Sequence, residues 1–455
     1  MKALNREILR LALPSILANI TVPIVGMVDI AVAGHIRDAG ATAAFIGGIS
    51  IGSMLFDLLY WSFGFLRAGT GGLTAQALGA RDWRECGRIL VRSTGLALII
   101  ALLILAIQKP FCSLAFLAVK CSPEVKELAL KYFFIRIWAA PATLSLMALR
   151  GWFIGMQDSF SSMTVDLTVN FVNIAASIAL TLGIGNHKGM GFPGIALGTV
   201  IAQYSGLILA CATLALKYRS TLGMMEASDF AGSLEGSKLR RFFSINGDFF
   251  LRSLGITAIY IGFTVISARF GDLMLASSAI MMKLLMVFSF FTDGFAYAGE
   301  ALTGRFIGAR SPGMVRSTVK GVFVWSMAIA VAFVFIYAGA GIPMLNVMTS
   351  DEGVVEACRQ FIPWLLLMPP LGCAAFTWDG IYQGATASRP VRDAMLGALL
   401  VFFAVWTVGK AFLPDSTADP DSAAIHILMG AYFAHLLFRT LYLTIRYKKD
   451  ILKSL

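Results

Sequence analysis

About twelve apolar stretches, each of membrane-crossing length, follow one another along this chain. They run at roughly 8–34, 42–66, 89–107, 129–154, 163–184, 190–216, 242–268, 274–304, 318–338, 361–383, 394–413 and 423–445. No other feature restricts the fold as much. In hydrocarbon each backbone N–H and C=O must be satisfied within the protein, and about 20 helical residues cross a core about 30 Å thick. The sequence therefore predicts an all-α membrane protein with twelve transmembrane helices.

Composition narrows the function. Only 14% of the 455 residues are charged and 58% are hydrophobic, whereas a soluble domain carries about 25% charged residues. The formal charge of +11 is then read as lysines and arginines holding loops against anionic lipid, and no nucleic-acid partner is expected. Cys86, Cys112, Cys121, Cys211, Cys358 and Cys373 show no C-x-x-C spacing, and His35, His187, His426 and His435 form no H-E-x-x-H pair. No metal site, cofactor or disulfide framework is expected, and no nucleophile–base pair or phosphate-cradling loop points to an enzyme. The N-terminus, with Lys2, Arg6 and Arg10 before its apolar run, superficially resembles a signal peptide. Its run is too long and contains Asn19 and Asp29, so it reads as a retained first helix.

Basic residues concentrate in the N-terminus, Arg81–Arg92, the central linker, Arg305–Lys320, Arg389–Arg392 and Arg446–Lys453. The alternate loops hold Lys188, Arg269 and the acidic stretches Asp351–Glu356 and Asp415–Asp421, with a mixed segment at Lys109–Lys131. The positive-inside rule then places both termini and the linker in the cytoplasm.

The chain also repeats itself. Leu73-Thr74 followed by Gly79-Ala80-Arg81 recurs 229 residues later as Leu302-Thr303 and Gly308-Ala309-Arg310. The same offset carries Pro141, Gly151 and Gly155 onto Pro370, Gly380 and Gly384. Two homologous six-helix lobes inserted the same way up follow from this parallel internal repeat, with the plan of an alternating-access transporter. The lobes are expected at 1–217 and 242–455, joined by a cytoplasmic linker at 218–241.

Within the first span the stretch Thr21–Ala33 holds Pro23, Gly26 and Asp29. An ionised carboxylate at such depth costs at least about 2.5 kcal/mol, so it is protonated, paired or functional. Pro23 is a candidate bend and Gly26 a candidate close approach. Asn170, Asn173 and Ser177 share one face of the fifth span. In the second half Asp293 and Glu300 lie seven residues apart on one face, and Asp379 follows in the tenth span. These three acids read either as a second polar site or as a structural network. Asp57 and Asp166 are further acids within spans, with Arg67, Arg136, Arg150 and Arg252 as available counter-charges.

Several stretches carry a resemblance. They are Leu11-Ala-Leu-Pro14, Pro23, Val28-Asp29 and Gly34-His35; Gly72–Ala80; Asp293–Ala301 with Gly304 and Gly308-Ala-Arg310; and Asp379-Gly-Ile-Tyr-Gln-Gly384. In order and over nearly the whole chain, they resemble the multidrug and toxic compound extrusion (MATE) family, in its DNA-damage-inducible protein F branch. The resemblance implies a twelve-helix antiporter of a bacterial inner membrane that expels organic, often cationic compounds. It places the coupling ion at Asp29, with Asn170, Asn173 and Thr199 beside it. Ser177 stands where the family has an aspartate. Sodium wants several hard oxygen ligands, whereas a proton needs Asp29 alone, whose burial disfavours its charged form. A proton-coupled drug antiporter acting as a monomer in the bilayer is the expectation. The alternatives are a sodium-coupled drug antiporter and a flippase for lipid-linked precursors.

Overall fold

A computed structural model describes residues 2–36, 42–119, 121–184, 187–226, 229, 236–349, 351–413 and 419–453. Residues 414–418, which include the start of the acidic stretch noted above, and most of 227–235 in the linker lie outside the described residues.

Among the described residues the regular structure is helical apart from one short antiparallel pair of strands, Gly183–Ile184 with His187–Lys188. The first span is α1 (Lys2–Gly34). The second is interrupted, α2 (Thr42–Trp61) giving way to α3 (Phe65–Gly79). The third is α4 (Trp83–Ala118), and the fourth is α5 (Pro123–Arg136) joined through a 3-10 turn to α6 (Ala140–Gly155). The fifth and sixth are α7 (Ser159–Leu182) and α8 (Pro193–Lys217), followed by the short α9 (Arg219–Gly223). The apolar helical stretch Gly236–Gly308, 73 residues long, would extend about 110 Å if straight, far beyond one bilayer core. It is two spans, α10 (Gly236–Ser267) and α11 (Gly271–Gly308), separated by a 3-10 turn and by Gly271 at φ +85°. The ninth span is α12 (Pro312–Met348). The tenth is bent by 55° between α13 (Glu352–Arg359) and α14 (Ile362–Gly384). The last two are α15 (Ser388–Ala411) and α16 (Pro420–Tyr447).

Local chemistry sets many of the boundaries. Asp82, Ser122, Asp158, Asp351 and Asp419 each accept a backbone N–H three residues ahead, capping the helices that follow them. The four helices α3, α6, α11 and α14 close in one way. Asp82, Asp158, Ser311 and Ala387 each donate their N–H five residues back, at 2.8–3.0 Å. The residue before each closing donor is a non-glycine residue in the left-handed region: Arg81, Gln157, Arg310 and Thr386. Arg81 and Arg310 are 229 residues apart, and so are Gln157 and Thr386.

The glycines of the repeat have the same geometric basis in both halves. A methyl group on Gly151 would lie 2.2 Å from the carbonyl oxygen of Arg67, and one on Gly155 would lie 2.6 Å from that of Gly71. In the second half Gly380 meets the oxygen of Ala296 at 2.1 Å and Gly384 that of Glu300 at 2.2 Å. Every contact in the second pair is the first displaced by 229 residues. The α3–α6 and α11–α14 crossings are thus backbone against backbone, as small residues permit within membranes. Gly151→Ala and Gly380→Ala are each expected to cost at least about 1–3 kcal/mol through overpacking. Thermal unfolding of the detergent-solubilised protein reads this loss.

The helices gather into two compact units, Leu17–Phe242 and Met1–Ile16 together with Phe243–Leu455. The first turns of α1 therefore pack with the second half. Ile16 and Ala12 lie over Gly294, Ile8 lies over Gly321, and Glu7 pairs with Arg305 at 2.7 Å. In the other unit, linker residues are tied to the start of α4. Arg84 reaches Glu226 at 2.9 Å, Arg88 Nε reaches Asp229 at 3.0 Å and Lys238 reaches Glu85 at 3.4 Å.

Candidate ion-coupling site

The polar residues of the Leu17–Phe242 unit converge where α1, α7 and α8 meet. The α7–α8 contact is close because α8 offers glycine to α7. A methyl on Gly194 would fall 2.7 Å from Leu180, and one on Gly198 would fall 2.7 Å from the nitrogen of Ser177. This seats Thr199 against α7, where Asn173 donates its side-chain amide to the Thr199 hydroxyl at 3.0 Å. Asn170 donates to the Thr21 hydroxyl on α1 at 2.6 Å, and Thr21 in turn donates to the Ala18 carbonyl at 2.7 Å. Ser177 is fully buried, with its hydroxyl 3.5 Å from the Ile195 carbonyl and in hydrogen-bonding reach of the Asp29 carboxylate.

Asp29 itself is 7% exposed, and its Oδ1 has no hydrogen-bond partner. The nearby cation is Arg136, close enough to act on the Asp29 charge. Arg136 donates to the Tyr132 hydroxyl at 2.8 Å and lies 4.6 Å over the Phe56 ring. Sequence alone named Arg136 only as one of four spare counter-charges. Its signal was an arginine closing the aromatic run Tyr132-Phe133-Phe134-Ile135, but no spacing rule ties the fourth span to the first. The structure thus places Asp29 and Ser177 together, links Asn173 to Thr199, and leaves Asn170 on the Thr21 side of α1.

Pro23 lies six residues before Asp29 and is exposed, and α1 runs unbroken through it. Gly26 differs from the sequence expectation. A methyl there meets nothing within 4 Å, so no helix approaches closely at that point. A glycine exposed mid-helix instead weakens the helix locally, by up to about 1 kcal/mol relative to alanine.

The acids of the second half are dispersed. Asp379 is 6% exposed, and both Arg252 on α10 and Arg439 on α16 donate to its Oδ2. His435 and Tyr260 adjoin this ion cluster, and Tyr260 lies 3.4 Å from the Tyr432 hydroxyl. Asp293 lies close enough for its charge to act on Tyr260. Glu300 is fully buried on α11, at the crossing with Gly384. In the first half Arg150 and Asp166 form an ion pair. Arg150 and Asp379 occupy equivalent positions of the repeat, each just before a crossing glycine, with opposite charge. Asp57 is exposed. Among the described residues no group of three or more His, Cys, Asp and Glu side chains could hold a metal ion.

Comparison with known proteins decides the family. The family profile described as MatE matches residues 14–179 and matches again at 249–407. The chain belongs to the MATE family. The two matches correspond to the two halves of the repeat, so the MATE chain carries its family pattern twice. It is 33% identical over 400 residues to DNA damage-inducible protein F of Escherichia coli K12, covering 88% of this chain and 84% of that protein. It is 24% identical to the probable multidrug resistance protein NorM of Photorhabdus laumondii, over 89% of this chain and 86% of that one. Its fold is that of a MATE crystallised in the straight conformation, with TM-score 0.86 at 16% identity, over 99% of this chain and 97% of the other. The protein is thus a multi-pass MATE efflux transporter, and its family comprises transporters rather than enzymes.

Proposed function

We propose that this MATE transporter is a proton-coupled antiporter that exports organic, mainly cationic or amphipathic compounds by alternating access. It would act as a monomer in a bacterial inner membrane, with both termini cytoplasmic. The observation carrying this reading is the make-up of the Asp29 site: one carboxylate among hydroxyls, amides and a guanidinium. The multidrug naming of the NorM relative supports the substrate class.

A bound sodium ion loses its hydration and needs hard oxygen ligands in return. Asp29, Ser177 and Thr199 offer a single negative charge, and Arg136 opposes a second cation nearby. A proton requires only Asp29. Deprotonated, the carboxylate accepts from the Ser177 hydroxyl and is balanced by Arg136. When a proton from water binds a carboxylate oxygen, Ser177 is released toward the Ile195 carbonyl on α8. Protonation is thereby linked to the α1–α7–α8 packing, and the exposed Pro23–Gly26 segment is where α1 yields. A flippase for lipid-linked precursors would want free cations for pyrophosphate. Here Arg150, Arg252 and Arg439 are engaged by carboxylates.

Efflux of a fluorescent organic cation from proteoliposomes, under a pH gradient alone or a sodium gradient alone, tests the reading. The wild-type protein is expected to respond to pH and not to sodium. Ser177→Asp, which adds a second carboxylate beside Asp29, is expected to acquire sodium-driven efflux. Sodium-driven efflux by the wild type overturns proton coupling. Failure under both gradients, together with binding of a polyprenyl pyrophosphate lipid, favours the flippase.

A further inference from the structure

The face of α1 formed by Lys2, Asn5, Arg6, Leu9, Arg10, Leu13 and Pro14 carries a shallow, open groove that the Asp29 mechanism does not use. Lys2, Arg6 and Arg10 recur every fourth residue, about 6 Å apart along the helix, and all three are exposed. None of them is in an ion pair among the described residues. The acid on these turns, Glu7, is taken by Arg305 at 2.7 Å, so the cationic stripe is not neutralised from its own helix. The opposite face is fixed, because Leu4, Ile8, Leu11 and Ala12 are buried in the unit formed with Phe243–Leu455. The groove is therefore presented by an anchored helix. Beyond Arg10 it turns apolar with Leu13 and Pro14, Leu13 being 57% exposed, and Leu9 lies between Arg6 and Arg10.

We infer that this groove is a binding site for one anionic phospholipid, its phosphate headgroup held by Lys2, Arg6 and Arg10 and its acyl chain laid along Leu9, Leu13 and Pro14. Charge complementarity with apolar surface immediately beyond it selects this occupant. A free phosphate or an acidic peptide would use the cations and leave the exposed leucine bare. Placing the headgroup in the cytoplasmic leaflet rests on the positive-inside reading of the termini. The bound lipid would brace the first turns of the helix whose later turns carry Asp29, so efflux is expected to rise with the anionic lipid content of the membrane.

Native mass spectrometry of the full-length protein, released from nanodiscs of phosphatidylethanolamine and phosphatidylglycerol, tests this without reference to transport. The wild type is expected to retain one phosphatidylglycerol. In Arg6→Gln/Arg10→Gln the retained fraction should fall, by up to about thirtyfold for the loss of two cations. Arg389→Gln/Lys449→Gln, which removes two exposed cations elsewhere, should leave retention unchanged. Leu13→Gln keeps every cation and should lower retention of the lipid while leaving competition by soluble glycerol 3-phosphate unaltered. It serves as the second variant if the arginine pair impairs folding. Equal retention in wild type and Arg6→Gln/Arg10→Gln overturns the inference. So does equal loss in the Arg389→Gln/Lys449→Gln control, which would mean diffuse attraction, and so does displacement by glycerol 3-phosphate as effective as by the lipid.

Discussion

Asp29→Asn is expected to abolish pH-driven efflux, to the level of protein-free vesicles, while leaving the protein folded and able to bind its organic substrate. The amide is nearly isosteric and still accepts a hydrogen bond from Ser177, so the α1–α7 contact survives. It carries no charge and cannot take up a proton, so the step that distinguishes the two ends of the cycle is missing. The substitution relieves the burial cost of a carboxylate but also takes from Arg136 the charge that balances it, so the melting temperature should change little. Efflux and thermal unfolding measured on the same preparation separate these effects. Retained pH-driven efflux in Asp29→Asn would show that the proton travels elsewhere, and the charged cluster around Asp379 would then be the place to look.

The second large effect lies in that cluster and is structural. Asp379→Asn removes the one carboxylate to which both Arg252 and Arg439 donate. Two guanidiniums are left without a counter-charge in the core of the second half. Breaking a buried ion pair costs about 3–5 kcal/mol, a large part of the roughly 5–15 kcal/mol that holds a domain together. A marked drop in melting temperature is expected, and with it a loss of transport that follows the loss of folded protein. Replacing Asp379, Arg252 and Arg439 together with methionine should recover much of the stability, because an apolar trio needs no counter-charge. If the triple variant is stable yet inactive, the cluster takes part in transport as well as in folding.

The division between legible and hidden features follows from what each depends on. The twelve spans could be read because crossing length and apolarity are local properties. Their interruptions were harder. The apolar run of the third span stops near residue 107, where Gln108, Lys109 and Pro110 interrupt it, yet α4 continues through Pro110 to Ala118. The tenth began earlier than its apolar run, because the polar α13 (Glu352–Arg359) leads into it across a 55° bend. The repeat was visible as matched glycines, but their purpose emerged only when Gly151 and Gly380 were seen against the carbonyls of Arg67 and Ala296. For the site, helical spacing put Asn170, Asn173 and Ser177 on one face, and the resemblance brought in Thr199. The charge partners could not be read in this way. Arg252 and Arg439 are 127 and 60 residues from Asp379, and no periodicity reports a pairing across such intervals.

The sharing of α1 between the two units bears on how the protein is made. Its first turns leave the ribosome before α2–α16, yet the surface they cover, around Gly294 and Gly321, lies beyond the intervening segment Leu17–Phe242. At synthesis rates of about 5–20 residues per second, that interval lasts roughly 10–45 s. During it Ile8, Ala12 and Ile16 have no partner but lipid or the insertion machinery. A gene cut at the linker would send each half into the membrane incomplete, the first with a surplus end and the second with an uncovered seam.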